Sequence, residues 1–232
     1  MTGPHAGQPG RDDPQAVQDV GEEILRRHFV AVATSRYQDP AWKQLDGVRE
    51  EVRQLQEWLC DSRRLQDRAF AVAAEHEPLA EDPSHAQIEA ALREPERPWS
   101  DADAAVVFIT GHGERLDGAH RLILHRTDRQ RPHATAIRTS DLIGWLTETG
   151  IQHLLLIIDA CYAGATQAEV AQFDRPLPDS WLVLPSAMHN EKAVTGALSN
   201  AIAAAVDKLR GPQGAKWGHE TPYFTVQDFL QL

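Results

Sequence analysis

Three short apolar runs constrain the fold of this chain more than any other feature of its sequence. They are HFVAVAT at 28–34, AAVVFIT at 104–110 and LLLIID at 154–159. Continuous apolar runs of this length are typical of strands that are buried on both faces of a parallel sheet. Stretches with helical spacing lie between them, so the sequence predicts an α/β fold with a mostly parallel central sheet covered on both faces.

The first predicted helix has the clearest periodicity. Its apolar residues recur at steps of three and four between Leu45 and Leu59, which places them on one face. A second helix is predicted to begin at Ser84, because Ser84 and Gln87 have the spacing of a capping box. The remaining predicted elements are short strands at 69–75 and 181–187, a hairpin that turns at Asp117 and Gly118, and helices at 140–149 and 193–210.

The chain is long enough for one domain with a tail. Residues 1–18 are rich in Gly, Pro, Gln and Asp without apolar periodicity, so we expect a flexible tail there and one domain over 19–232. The closing stretch TVQDFLQL begins like a helix whose apolar face is incomplete. We therefore expect the chain to be the N-terminal part of a longer protein, with sensor or effector modules beyond residue 232.

Charge and cysteine content limit the expected partners and compartment. The net charge of -11 disfavours nucleic acid or an anionic membrane as a partner. No run has the length of a membrane span or the form of a signal peptide. The two cysteines form no disulfide framework, so we expect a cytoplasmic protein.

Two of the apolar runs are followed at once by reactive side chains. GHG follows the run at 104–110 and supplies His112, while LLLIID leads into Cys161. Parallel strands end at one edge of a sheet, so we expect the two side chains to meet there. An imidazole beside a thiol takes its proton or stabilises the thiolate, which produces a strong nucleophile. The amides of Gly113 and Cys161 are then candidates for an oxyanion hole.

This combination resembles the caspase-like cysteine peptidases, the group of caspases, metacaspases and bacterial relatives. His112 lies 49 positions before Cys161, and in that family the histidine lies about 50 residues before the cysteine. The resemblance covers about residues 28–210. It implies a caspase-like α/β/α sandwich and a cysteine endopeptidase in which His112 is the general base and Cys161 forms a thioester acyl-enzyme.

The resemblance also implies a substrate preference. Asp159 stands where metacaspase-like members carry an acid that binds a basic side chain, whereas caspases have glutamine there and select aspartate. Cleavage after Arg or Lys is therefore expected. In SAMHNE, Asn190 occupies the position at which metacaspases place a second acid, which weakens the expected preference. We include Asn190, together with Asp39 in the loop after the first strand, among the expected substrate-binding residues.

Other interpretations of the same residues remain open. Cys161 is alternatively a buried structural thiol, as we expect for Cys60, and Asp159 alternatively only holds a loop amide. At the level of function, one alternative is a catalytically silent caspase-like module that recruits partners. Another is a hydrolase or acyltransferase that uses Cys and His on small molecules in a preformed apolar pocket.

No cofactor is predicted. Five histidines that follow the GHG motif lack the spacing of zinc ligands, and we interpret them as surface or structural residues: His120, His125, His133, His153 and His189. The resemblance to metacaspases makes a regulatory calcium ion an alternative, but no Asp-rich ligand loop in the sequence supports it. The expected partner in the reaction is a peptide or protein substrate.

Overall fold

The structure, a computed structural model, describes residues 24–173, 176–178, 180–194 and 196–210. The predicted tail at 1–18 and the TVQDFLQL segment lie outside these residues. The strands are β1 (Arg26–Ala33), β2 (Asp103–Thr110), β3 (Gly113–Leu116), β4 (Ala119–Leu122), β5 (Ile137–Arg138), β6 (His153–Asp159) and β7 (Trp181–Pro185). The helices are α1 (Val48–Leu59), α2 (Ser62–Leu65), α3 (His85–Arg93), α4 (Pro132–Thr135), α5 (Thr139–Glu148), α6 (Ala165–Val170) and α7 (Ala197–Arg210), with 3₁₀ turns at Gln66–Arg68 and Glu77–Ala80.

A four-stranded sheet in the order β1-β2-β6-β7 forms the centre of the fold, and every neighbouring pair is parallel. The predicted α/β class with a mostly parallel sheet is therefore confirmed. A second, antiparallel sheet, β3-β4-β5, begins directly after β2. Its first two strands form the predicted hairpin, in which Asp117 and Gly118 have φ values of 51° and 83°. Positive φ at both central residues is the requirement of a type I′ turn.

Helices cover both faces of the central sheet. Successive side chains of a strand point to opposite sides, so each strand contributes to the core on both faces. On one face, Phe29 of β1 and Phe108 of β2 pack with apolar residues of α1 and with Ile202 of α7. On the other face, Val107 of β2 and Leu156 of β6 pack with apolar residues of α3 and α5. The fold thus has three layers. Within the described ranges, no helix combines the length and apolar character needed to cross a bilayer.

The register of the sheet determines where the chain leaves it. Thr110, the last residue of β2, lies opposite Ala33 of β1 and Asp159 of β6. The three strands therefore end level with one another at the carboxyl edge, where open α/β sheets place their ligand sites. The residues that follow these strands are confined to one small region.

The strand predicted at 69–75 is wrong, because the segment makes only a single bridge to β1. Ala71 donates to Arg27 O and accepts from the Phe29 amide, each at 2.9 Å. A 3₁₀ turn ends just before this segment and another turn follows it, so no further ladder bonds form. The first helix also begins later than predicted, at Val48, because the Leu45 amide donates to Ser35 O (2.9 Å) in the preceding loop.

Candidate active site

His112 and Cys161 line one cavity at the carboxyl edge of the sheet. Each follows the last residue of its strand by two positions, His112 after Thr110 and Cys161 after Asp159. The volume of the cavity is about 140 Å³. Its lining comes from the ends of β2 and β6, from α1 and from neighbouring loops: Leu45, Val48, Glu51, Thr110, Gly111, His112, Asp159, Cys161 and Ala193. The structure therefore brings the two predicted reactive residues together.

Tyr37 and Gly111 fix the backbone of His112. The His112 amide donates to the Tyr37 hydroxyl (2.9 Å), which in turn donates to Thr34 O (2.8 Å). Burial raises the pKa of the Tyr37 phenol, so the phenol stays protonated and able to donate. Gly111 has a φ of 147°, and a Cβ there would lie 3.1 Å from both Thr34 O and the Tyr37 hydroxyl oxygen. Glycine is therefore required before His112.

The imidazole of His112 is oriented by a backbone carbonyl. Its Nε2 lies 2.8 Å from Lys43 O, in the loop before α1. A carbonyl oxygen only accepts, so Nε2 carries the proton and donates it. In the neutral ring Nδ1 is then the unprotonated nitrogen, which is the form that accepts a proton from a thiol. Tyr37 supports this orientation, because its ring centroid lies 4.7 Å from that of His112.

Cys161 begins a tight turn directly after β6. Cys161 is half-buried, and its Sγ lies 4.0 Å from Ala193 O, which accepts a weak hydrogen bond from the thiol. The next residue, Tyr162, has a φ of 65°, a left-handed conformation that L residues seldom adopt. The Tyr162 amide donates to Glu191 O (2.7 Å). The turn is thus held against the loop that follows β7.

Gly113 packs directly against the turn that carries Cys161. A Cβ at this position would lie 2.3 Å from Cys161 O and 2.6 Å from the Nε2 of His120. Real Cβ atoms do not approach other atoms so closely, so only glycine fits here. The second glycine of the GHG motif therefore serves close packing between β3 and the turn. The role of the Gly113 and Cys161 amides in an oxyanion hole stays a prediction.

Two carboxylates lie in the wall of the same cavity. Glu51 of α1 and Asp159 of β6 are 3% and 5% exposed. Glu51 Oε2 accepts from the Thr110 hydroxyl at 3.0 Å. Glu51 Oε1 and Asp159 Oδ2 are buried and accept no well-formed hydrogen bond from the described residues, although the nearby Gly196 amide favours the ionised form of Glu51 and the Ser186 hydroxyl favours that of Asp159. Buried charges are ordinarily paired with a cation, and no Lys or Arg is found among the described residues that line this cavity.

Burial is the main influence on the protonation of these two acids. Desolvation raises the pKa of Asp159 above its ordinary value. Desolvation also raises the pKa of Glu51, and the negative charge of Asp159 raises it further. A guanidinium or ammonium group between them would favour the ionised form of both. The cavity is therefore suited to a basic group.

Asp39 and Asn190, the other predicted substrate-binding residues, do not line this cavity. The Asp39 carboxylate accepts from the Ala41 amide (2.9 Å) and from the Arg129 amide (3.1 Å), and so ties two loops together. Asn190 is exposed in the turn after β7. Their contact with a substrate stays a prediction. Cys60 lies away from the site in the core face beneath α1, where burial raises its thiol pKa.

The periodicity of α1 already indicates that the side chain of Glu51 lies on the buried face of the helix. Glu51 lies three residues after Val48 and four before Leu55, on the apolar stripe of α1. A carboxylate on the buried face of a helix is uncommon, and its position there points to a functional role. The role of Lys43 O left no such signal, because every residue has a carbonyl.

Comparison of the chain with protein-family models and with curated proteins finds no match. The described residues contain no group of three or more His, Cys, Asp or Glu side chains arranged to bind a metal ion.

Replacing Gly113 by Ala should disturb the turn at Cys161. The added Cβ would meet a backbone carbonyl, so the turn must shift, and the rate of Cys161 alkylation by iodoacetamide should fall by roughly tenfold or more. Gly144→Ala on α5 is the matched control, because nothing lies within 4 Å of its added Cβ. That variant should alkylate at the wild-type rate and be slightly more stable. Equal rates in both variants would contradict the close packing described for Gly113.

Proposed function

We propose that this chain is a cysteine endopeptidase of the caspase-like class that cleaves peptide bonds after Arg or Lys. One observation carries the proposal: Cys161 and His112 line a cavity that also holds two buried carboxylates, neither of which has a Lys or Arg beside it among the described lining residues. A thiol and an imidazole alone fit several acyl-transfer reactions. Together with Glu51 and Asp159, they favour a basic peptide over the apolar ligand that a small-molecule hydrolase would bind.

The proposed reaction starts from the orientation of His112. Because Lys43 O holds the proton on Nε2, Nδ1 takes the thiol proton as Cys161 Sγ bonds to the peptide carbonyl carbon. The carbon–nitrogen bond then breaks, the imidazolium returns the proton to the departing amine, and a thioester remains. A water molecule, deprotonated by the same ring, hydrolyses the thioester and regenerates the thiol. The amides of Gly113 and Cys161 are the proposed donors to the oxyanion.

The proposed specificity comes from the two acids. Glu51 and Asp159 reach the cavity from different elements, α1 and β6. A guanidinium is planar and carries five donors, so it can bind both carboxylates at once, whereas an ammonium is a single point charge. Arg should therefore be preferred over Lys. A neutral residue would leave two buried acids without a cation, which costs about 2 to 4 kcal/mol of transition-state binding.

A panel of fluorogenic peptides tests this proposal. The peptides differ only in the residue before the scissile bond, which is Arg, Lys, citrulline, Leu or Asp. We expect the Arg peptide to be cleaved best and the Asp peptide worst, and citrulline, the neutral isostere of Arg, to lose roughly 30- to 10³-fold in kcat/KM. Cys161→Ala should abolish cleavage of every peptide.

Three substitutions separate the acids of the cavity from ordinary surface acids. Glu51→Gln and Asp159→Asn should each lower kcat/KM for the Arg peptide far more than for the citrulline peptide, because only the Arg peptide loses a charge pair. Glu50→Gln is the matched control, since Glu50 is the exposed neighbour of Glu51 on α1 and pairs with Arg53. A preference for Leu or Asp, or an Arg preference that survives both substitutions, would rule out the proposed pocket.

The Arg preference should also depend on pH. The pKa values of both acids are raised, so as the pH falls they become neutral at a higher pH than ordinary carboxyl groups. The ratio of kcat/KM for Arg and citrulline peptides should then decline toward acid pH, and titration of other groups cancels in this ratio. Asp159→Asn removes a negative charge that, together with burial, raises the pKa of Glu51. In this variant the Arg-to-citrulline ratio of kcat/KM should be smaller than in the parent chain, but it should persist to lower pH. A ratio that is constant with pH would contradict the proposed role of the two carboxylates.

A further inference from the structure

His120 is a buried histidine that lies outside the candidate cavity yet contacts the candidate nucleophile. It is 0% exposed on β4. Its Nε2 lies 3.0 Å from Cys161 O, and its Nδ1 lies 2.6 Å from the Thr139 hydroxyl. Because a carbonyl only accepts, Nε2 must donate to Cys161 O, and Nδ1 then accepts from Thr139. The two partners therefore select one neutral tautomer of the ring.

A carboxylate holds the backbone around His120. Glu169 of α6 accepts from the His120 amide at 2.6 Å through Oε1. Its Oε2 accepts from the Ser140 hydroxyl at 2.8 Å and from Arg138 Nη2 at 3.3 Å. One carboxylate thus ties β4 to the start of α5 and to α6, the helix that follows the Cys161 turn. Burial lowers the pKa of His120, which keeps the ring neutral and Nδ1 able to accept.

The hydrogen bond to Cys161 O acts on the peptide unit between Cys161 and Tyr162. The left-handed φ of Tyr162, 65°, determines how that unit is oriented. Gly113 packs against the same carbonyl oxygen from β3. A carbonyl that is held on one side by a donor and on another by van der Waals contact has little freedom to rotate.

We propose that His120 is a positioning residue for the nucleophile: by binding Cys161 O, it holds the turn that places Cys161 in one cavity with His112. This inference rests on the proposed function, because it assumes that Cys161 and His112 act as a pair. A histidine with a purely structural role would contribute to the stability of the fold and leave the reactivity of Cys161 unchanged.

His76 provides a matched control for that difference. It is also buried, at 1% exposed, and its Nε2 lies 3.3 Å from a backbone carbonyl, Ala91 O. Its ring contacts that of Trp99, which stacks on His28 near the start of β1, so it lies at the opposite end of the sheet from Cys161. Loss of this ring should affect the fold alone.

The test compares His120→Leu, His120→Gln, Thr139→Val and His76→Leu in the full chain, with Cys60→Ser in every variant so that Cys161 is the single thiol. Three quantities are measured: the thermal midpoint, the rate of Cys161 alkylation by iodoacetamide from neutral to alkaline pH, and kcat and KM for the Arg peptide. Glutamine keeps an N–H donor at a position close to that of Nε2, so it should rescue much of the loss.

We expect His120→Leu to lower kcat on the order of 10²-fold with KM little changed, and to shift the alkylation profile to higher pH. His120→Gln should stay within about tenfold of the parent chain, and Thr139→Val should fall between the two, because the ring loses its tautomer control. His76→Leu should lower the thermal midpoint without altering alkylation.

Several results would overturn the inference. One is a folded His120→Leu chain whose kcat and Cys161 alkylation rate stay within about twofold of the parent chain. Another is a His76→Leu chain whose kcat and alkylation rate fall as much as those of His120→Leu. If His120→Leu does not fold, a Thr139→Val chain with parental alkylation overturns it instead. Should the parent chain cleave no peptide, the proposed function fails, while the alkylation profiles still decide the role of His120.

Discussion

The parallel pairing of β2 with β6 is the interaction on which the rest of the site depends. It places Thr110 opposite Asp159 as the last residues of two adjacent buried strands. His112 and Cys161 each come two residues later, so equal lengths of chain carry them from the same edge of the sheet. A slip of one residue in this register would exchange the two faces of β6, so that Leu156 would lose its packing against α3 and α5. The hydrophobic core thereby also fixes the geometry of the candidate active site.

At this edge of the sheet, hydrogen bonds that involve backbone groups hold His112 and Cys161 in place. Lys43 O orients the His112 ring, the Tyr37 hydroxyl holds its amide, and the turn after Cys161 is anchored through its carbonyl and the next amide. Among the described residues that line the cavity, two carry carboxylates and none is a Lys or Arg. Its two acids are buried by the same strand and helix that build the core, which makes their desolvation a consequence of the fold.

The central features of the fold were predictable because they follow from strong local patterns. Apolar runs identified β1, β2 and β6, and the periodicity of residues 45–59 identified α1. The capping box at Ser84 is present as expected, with the Ser84 hydroxyl accepting from the Gln87 amide. The pairing of His112 with Cys161 in one cavity followed from the rule that parallel strands end at one edge.

The features that could not be predicted from the sequence depend on contacts between residues that are distant in the chain. The segment at 69–75 has the composition of a strand, yet the turns on either side leave room for one bridge at Ala71. His120 resembles any other histidine in the sequence, and its contact with Cys161 O arises from the β3-β4 hairpin folding over the turn. Glu51 belongs to a helix distant in sequence from Asp159, so their shared cavity could not be deduced from spacing.

The most direct test of the proposed site is a structure of the chain after reaction with a peptide that ends in an arginine chloromethyl ketone. The reagent alkylates a thiolate with loss of chloride, and its guanidinium reports the position of the pocket. We predict a bond from Cys161 Sγ to the inhibitor and a guanidinium within hydrogen-bond distance, about 3 Å, of both Glu51 and Asp159. Attachment at Cys60, no attachment at all, or a guanidinium pointing into solvent while Cys161 is alkylated would contradict it.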